Sequence, residues 1–173
     1  MRCARTSWTV AANACVTHAI LWGVENIENE VGHEIADALG LLLRRTTRAQ
    51  LHKQLTEGMG EAVDELTYPV LSALARTGPR SAADLAPDAG VDRSGVTRRA
   101  SRLEAAGLVR READPTDRRA QLLVLTERGQ LAVAELRGRL AAHIMTSLSS
   151  WPPGEAETFA HHLRRFTAEG PFT

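Results

Sequence analysis

Arg93, Ser94, Thr97, Arg98 and Ser101 are the residues of this chain best placed to do chemistry on a partner. On a helix turning ~100° per residue they fall within an arc of about 140°, with Arg102 flanking it. Arginine pairs bidentately with guanine in the major groove, and serine and threonine reach phosphates or either base type. A solvated helix face usually mixes in glutamate and lysine for helix stability, but no acid appears here until Glu104. Val96, Ala100, Leu103 and Ala106 occupy the opposing apolar arc of about 120° and are expected to pack inward. Arg118 and Arg119 follow in a polar segment, where arginines can enter the negative potential of a narrow minor groove.

The elements that position these side chains announce themselves locally. Asp92 is a helix N-cap, with Val91 before it and Val96 after it placed to form a hydrophobic staple. Ser81, three residues before Asp84, opens a preceding short helix as a capping serine does. Gly90 and Gly107 stand where the two helices need a left-handed residue to stop. Two strand-like runs follow, 108–112 and 120–125, joined by the polar turn Ala113-Asp114-Pro115-Thr116-Asp117-Arg118-Arg119. Two helices joined by a tight turn present one of them to the major groove. The expected fold is mainly α with a small β-hairpin wing (α+β), a winged helix-turn-helix with terminal dimerisation helices.

Charge distribution supports this reading where net charge does not. The chain of 173 residues is formally neutral, and Lys53 is its only lysine. Between Arg93 and Arg119 eight arginines face four acids, a net of +4, so the remainder is net negative. Positive charge confined to a helix and hairpin suits a DNA footprint. A solvated arginine-rich surface remains the alternative for charge alone. No apolar run approaches the roughly 20 residues of a membrane span. The apolar stretch near the N-terminus is interrupted by Thr9, Asn13, Thr17 and His18, without a small-residue cleavage site. With two cysteines, Cys3 and Cys15, no disulfide framework is expected. The expected location is a reducing cytoplasm, with no membrane partner.

Outside the central module the pattern is helical. Residues 1–30 hold all three asparagines, both cysteines and Trp8 and Trp22, and read as an extension, either an added helix or sequence upstream of a natural start near Val31. A single long helix is expected from His33 to about Glu57, on the spacing of Ile35, Leu39, Leu42, Thr46 and Ala49, with Gly58 and Gly60 at its end. Thr67 is expected to cap the next helix, with Leu66 and Leu71 as staple and Pro69 in the first turn. Pro87 should kink or end the short helix from Ala82 early. Thr126 should cap a helix to about Ser149, and a last helix should end near Thr167. The expected segments are 1–30, 31–64 (dimerisation helix and connection), 65–126 (DNA-binding domain) and 127–173 (dimerisation helices). Apolar stripes on the terminal helices exceed what the central module can cover, which points to a homodimer.

The run from Val91 to Arg98, the run from Arg102 to Arg111, the Asp114-Pro115-Thr116-Asp117-Arg118-Arg119 wing and the closing Leu125-Thr126-Glu127-Arg128-Gly129 together resemble the MarR family of bacterial transcription regulators. The resemblance implies a homodimer on a pseudo-palindromic operator in double-stranded DNA. It usually implies a repressor relieved by a small ligand, often an aromatic acid. It aligns Arg119 with the wing arginine of the family and Asp92 with its acidic partner; Asp117 is a further wing support. Two residues depart from the family pattern: Pro87, and Arg99 on the apolar arc. The stem of Arg99 can lie on the apolar face with its guanidinium in water or on an acid. Alternatively it points into the effector cleft that the resemblance implies, with Tyr68 and His52 as further ligand candidates, and clamps an anionic group. No cysteine falls in the core, which disfavours oxidation sensing.

Nothing suggests an enzyme, a cofactor or a metal. No catalytic spacing or phosphate loop emerges, and the adjacent His161 and His162 point about 100° apart on a helix without a further ligand at i+4. A winged-helix module for protein interaction is the alternative function, separable by salt-dependent affinity for duplex DNA.

Overall fold

The computed structural model describes residues 29–117 and 120–170. The expected extension 1–30 (all but its last two residues), Cys3, Cys15, Arg118 and Arg119 lie outside the described residues. The chain divides into two compact units between Gln50 and Leu51.

In the first unit, helix α1 covers 29–43 and α2 (Arg45–Thr56) begins. The single helix expected from His33 to Glu57 is therefore interrupted at Arg44. Its amide reaches back only three residues, to Leu41, and the ladder restarts with the Arg48 amide on the Arg44 carbonyl. The β-branched pair Thr46-Thr47 that follows has weak helix propensity. Val31, Ile35, Leu41, Leu42 and Leu43 are exposed.

The second unit holds the end of α2, α3 (Tyr68–Thr77), β1 (Arg80–Ser81), α4 (Ala82–Ala89), α5 (Arg93–Ala105), β2 (Val109–Ala113), β3 (Gln121–Leu125), α6 (Glu127–Ser147) and α7 (Glu155–Glu169). The hairpin β2–β3 pairs from Val109 opposite Leu125 to Ala113 opposite Gln121. Two-residue β1 adds a third antiparallel strand on the outer side of β3, in the order β1-β3-β2. That strand has no sequence signal, since two residues cannot show alternation.

The core forms where the apolar faces of α3, α4, α5 and α6 meet the hairpin. Leu71, Leu85, Leu103 and Leu123 are its largest fully buried side chains, with Val96, Ala100 and Val109 beside them. Gly90 and Gly107 both take left-handed conformations, φ 65° and 71°. After each, the next amide bonds five residues back, Val91 to Ala86 and Leu108 to Leu103, which closes the helix end. Pro87 does not end α4 early. Pro87 and Ala83 are both exposed, so the one helix carbonyl that proline leaves unpaired can take water.

The cap of α3 differs from expectation. Thr67 occupies the N-cap position without a side-chain capping bond to the helix. It is fully buried, and its single hydroxyl hydrogen lies within reach of both the Ala62 carbonyl and the Asp64 carboxylate. Asp64 instead accepts from the Leu66 and Thr67 amides. Leu66, the expected staple partner of the fully buried Leu71, is 48% exposed. Thr126 caps α6 as expected, accepting from the Gly129 amide. No helix among the described residues is long and apolar enough to cross a membrane.

Candidate nucleic-acid interface

Helix α5 is positioned at both ends and along one side. At its start the Asp92 carboxylate accepts from the Gly95 amide at 2.6 Å and from the Ser94 hydroxyl at 3.1 Å. The Gly95 amide, then the Ser94 hydroxyl and the charges of Arg98 and Arg99, hold the Asp92 carboxyl below the usual carboxylate range. A Cβ on Gly95 would lie 2.9 Å from Asp92 Oδ1, so glycine lets the cap approach. Along its inner side Val96, Ala100 and Leu103 are fully buried. At its end the Ala106 and Gly107 carbonyls, which helix geometry leaves unpaired, accept from Arg128 and from the Thr126 hydroxyl. Gly129 sits so close to the Leu108 carbonyl that any Cβ there would collide with it. The start of α6 is thus docked onto the end of α5.

The outward face divides into two halves. In the first, Arg93, Ser94 and Arg98 are exposed and Thr97 is half-buried. Among the described residues the Ser94 and Thr97 hydroxyls donate within their own turn, to Asp92 and to the Arg93 carbonyl. Among the described residues Arg93 and Arg98 have no hydrogen bond or ion pair. In the second half, Ser101 accepts from Arg111 of β2 at 3.1 Å, and Glu104 pairs with Arg111 at 2.9 Å. Arg102 donates to Asp64 Oδ2 at 2.8 Å and to the Glu61 carbonyl at 2.9 Å. Arg102 therefore already has protein partners, unlike Arg93 and Arg98.

At the hairpin tip Asp114 Oδ1 accepts from the Thr116 hydroxyl and amide and from the Asp117 amide. The Thr116 hydroxyl, then its amide, lowers the Asp114 carboxyl. This Asx-turn sets the segment that leads to Arg118 and Arg119, and the Asp114 amide reaches the Ala120 carbonyl across its base. Sequence reasoning marked a turn here without singling out Asp114; an Asp followed by Pro-Thr is the signal. The pairing of Asp92 with Arg119 lies outside the described residues.

His52 and Tyr68 come together, ring centroids 4.5 Å apart. Arg99 is half-buried, and its charge is felt at Asp92. Cavities lie among α3, β3 and α6, along α6 and α7, and between residues 58–63, the end of α5 and α6. These three are lined by residues other than Arg99, Tyr68 and His52. The described residues hold no group of three or more metal-ligating side chains.

Residues missed at the sequence level are Asp64, Glu104 and Arg111. Their partners lie on other elements, out of reach of local pattern, although Asp64 three residues before Thr67 is itself a capping spacing.

Comparison with known proteins places this geometry. The family model described as MarR family matches residues 63–120. An uncharacterized HTH-type transcriptional regulator YxaD from Bacillus subtilis (strain 168) is 34% identical over 104 residues, covering 60% of this chain and 72% of that protein. The crystal structure of wild-type MarR (apo form) from E. coli superposes with a TM-score of 0.63 at 18% identity, over 75% of this chain and 93% of that one. Bordetella bronchiseptica BpsR, described for the regulation of its DNA binding by 6-hydroxynicotinic acid, gives 0.51 at 26% identity, over 75% and 98%.

Proposed function

The chain belongs to the MarR family of transcriptional regulators and is not an enzyme, and from that premise we propose that it binds a pseudo-palindromic operator in double-stranded DNA as a homodimer. The observation that carries this reading is the first half of the α5 outer face. Two arginines without a hydrogen bond or ion pair among the described residues stand there beside a serine and a threonine, on a helix whose opposite side is fully buried. The N-terminal residues of a recognition helix are those that meet base edges. Arg118 and Arg119 extend the contact from the wing into the minor groove. Residues 65–126 act as the DNA-binding domain.

Residues 31–64 and 127–173 supply the dimer. Support comes from unburied apolar side chains: Val31, Ile35 and Leu42 on α1, and, in the other unit, a groove of about 660 Å³ along α6 and α7 bordered by Ile144, Met145, Phe159 and Leu163. Such surface is uncommon on a monomer. Two-fold symmetry would bring two α5 helices to successive major grooves.

The regulator acts in the cytoplasm as a repressor that a small aromatic or anionic effector releases, with Arg99, Tyr68 and His52 as its contacts. Support for an effector is BpsR, whose DNA binding is described as regulated by 6-hydroxynicotinic acid.

The test is a gel-shift titration of the purified protein on its own upstream region, with sedimentation for the oligomer. Dimeric binding whose affinity falls steeply with salt is expected. A monomer, or no binding to any genomic duplex at low salt, would overturn the reading and favour a protein-interaction module.

A further inference from the structure

We infer that Arg102 serves DNA recognition as a positioning residue, locking α5 to the connection 57–67 through Asp64, and is not itself a DNA contact. This rests on the DNA-binding reading and assigns roles within that same face.

One carboxylate does two tasks at this point. Asp64 Oδ1 receives the Leu66 and Thr67 amides, at 3.0 and 2.8 Å, and so fixes the entry into α3. Asp64 Oδ2 holds the Arg102 guanidinium at 2.8 Å, and the same nitrogen of Arg102 reaches the Glu61 carbonyl. Burial disfavours the charged form of Asp64, but the Thr67 amide, the Arg102 guanidinium and the Thr67 hydroxyl outweigh it and keep the carboxyl below its ordinary range. The connection is also tied from its other side. Arg139 of α6 donates to the Leu55 and Glu57 carbonyls, at 3.1 and 2.6 Å. The segment is thus a strap fastened by one arginine from α5 and one from α6.

Both bonds are made by Nη2 of Arg102, so engaging a phosphate through that nitrogen would break them. That would leave Oδ2 of Asp64, on a side chain only 28% exposed, without the guanidinium and the Glu61 carbonyl without this donor. Arg98, one turn earlier, pays no such cost. Because the pair is partly exposed, it adds little to stability. Its consequence is geometric, since base readout depends on where α5 sits.

Charge alone and positioning predict opposite signs for Asp64. Removing an acid near a DNA face strengthens binding if only charge matters. If Asp64 positions α5, removing it weakens binding. The experiment measures operator affinity against salt for wild type, Arg102→Gln, Asp64→Asn and the double variant, with thermal melts to verify folding. Each single variant should weaken operator binding by roughly threefold to tenfold, with the double no worse than the weaker single, as coupled neighbours behave. The log–log salt slope should stay at the wild-type value throughout.

A slope reduced by about one unit in Arg102→Gln makes Arg102 a phosphate contact and overturns the inference. So does tighter binding by Asp64→Asn. If Asp64→Asn does not fold, the slope of Arg102→Gln decides alone. Failure of wild type to bind any duplex is a different result, which removes the DNA reading itself.

Discussion

Arg98 and Arg102 are one helical turn apart on α5, and their surroundings differ. Arg98 extends into solvent with no hydrogen bond or ion pair among the described residues, whereas Arg102 is bound to Asp64 and to the Glu61 carbonyl. The same division runs along the helix. Ser94 and Thr97 bond within their own turn, while Ser101 and Glu104 bond to Arg111 on β2. A helix that reads a partner must be fastened somewhere, and here the fastening uses the half nearer its C-terminus. The difference teaches that residue type on a helix face does not separate readers from anchors; the partner already present does.

The largest expected effect removes the frame shared by both halves. Leu103 is fully buried in the core cluster, so Leu103→Ala should cost about 2–5 kcal/mol in a denaturant titration. A cost under about 1 kcal/mol would mean that α5 is not fixed by its inner face.

Arg119→Ala should weaken operator binding on the order of tenfold, as loss of one inserted arginine does. Arg128→Ala should leave the salt slope of binding unchanged, because Arg128 is spent on the Ala106 carbonyl. Comparable losses and slopes in a gel-shift titration would remove the wing from the reading half.

Acid should loosen the fastenings. Asp64, Asp92 and Asp114 all lie below the ordinary value of 3.8 in the folded chain. A depressed carboxyl gives stability that is present above its unfolded pKa and lost as pH falls through its folded pKa. The melting temperature should therefore drop as pH falls below about 4, and Asp64→Asn should flatten that drop. An unchanged acid limb in Asp64→Asn would show that the strap carries no pH-linked stability.

The smallest effect is expected at Glu104, which pairs with Arg111 on a partly exposed surface. Glu104→Gln should change stability by less than about 1 kcal/mol. A loss of several kcal/mol would give the anchored half an energetic role that its exposure does not support.

The reading half was legible because its signals are local. The Asp92 cap, the stops at Gly90 and Gly107 and the two faces of α5 each follow from spacing within a few residues, and all are present. The anchored half was not legible, because Arg102–Asp64 and Arg111–Glu104 join different elements. Thr67 shows a local rule failing. Asp64 and Thr67 are both good caps three residues apart, burial drew the threonine inward, and the aspartate took the amides. The interruption at Arg44 gave no warning because neither glycine nor proline marks it.

The most direct measurement is the ratio of affinities for operator and scrambled duplex, taken for wild type and Arg98→Ala at the same salt. A reading arginine carries about 1–3 kcal/mol of base discrimination. The ratio should therefore fall for Arg98→Ala on the order of tenfold, with the melting temperature unchanged. An equal loss on both duplexes would make Arg98 a phosphate contact, and no loss on either would contradict the assignment of base readout to the first half of α5.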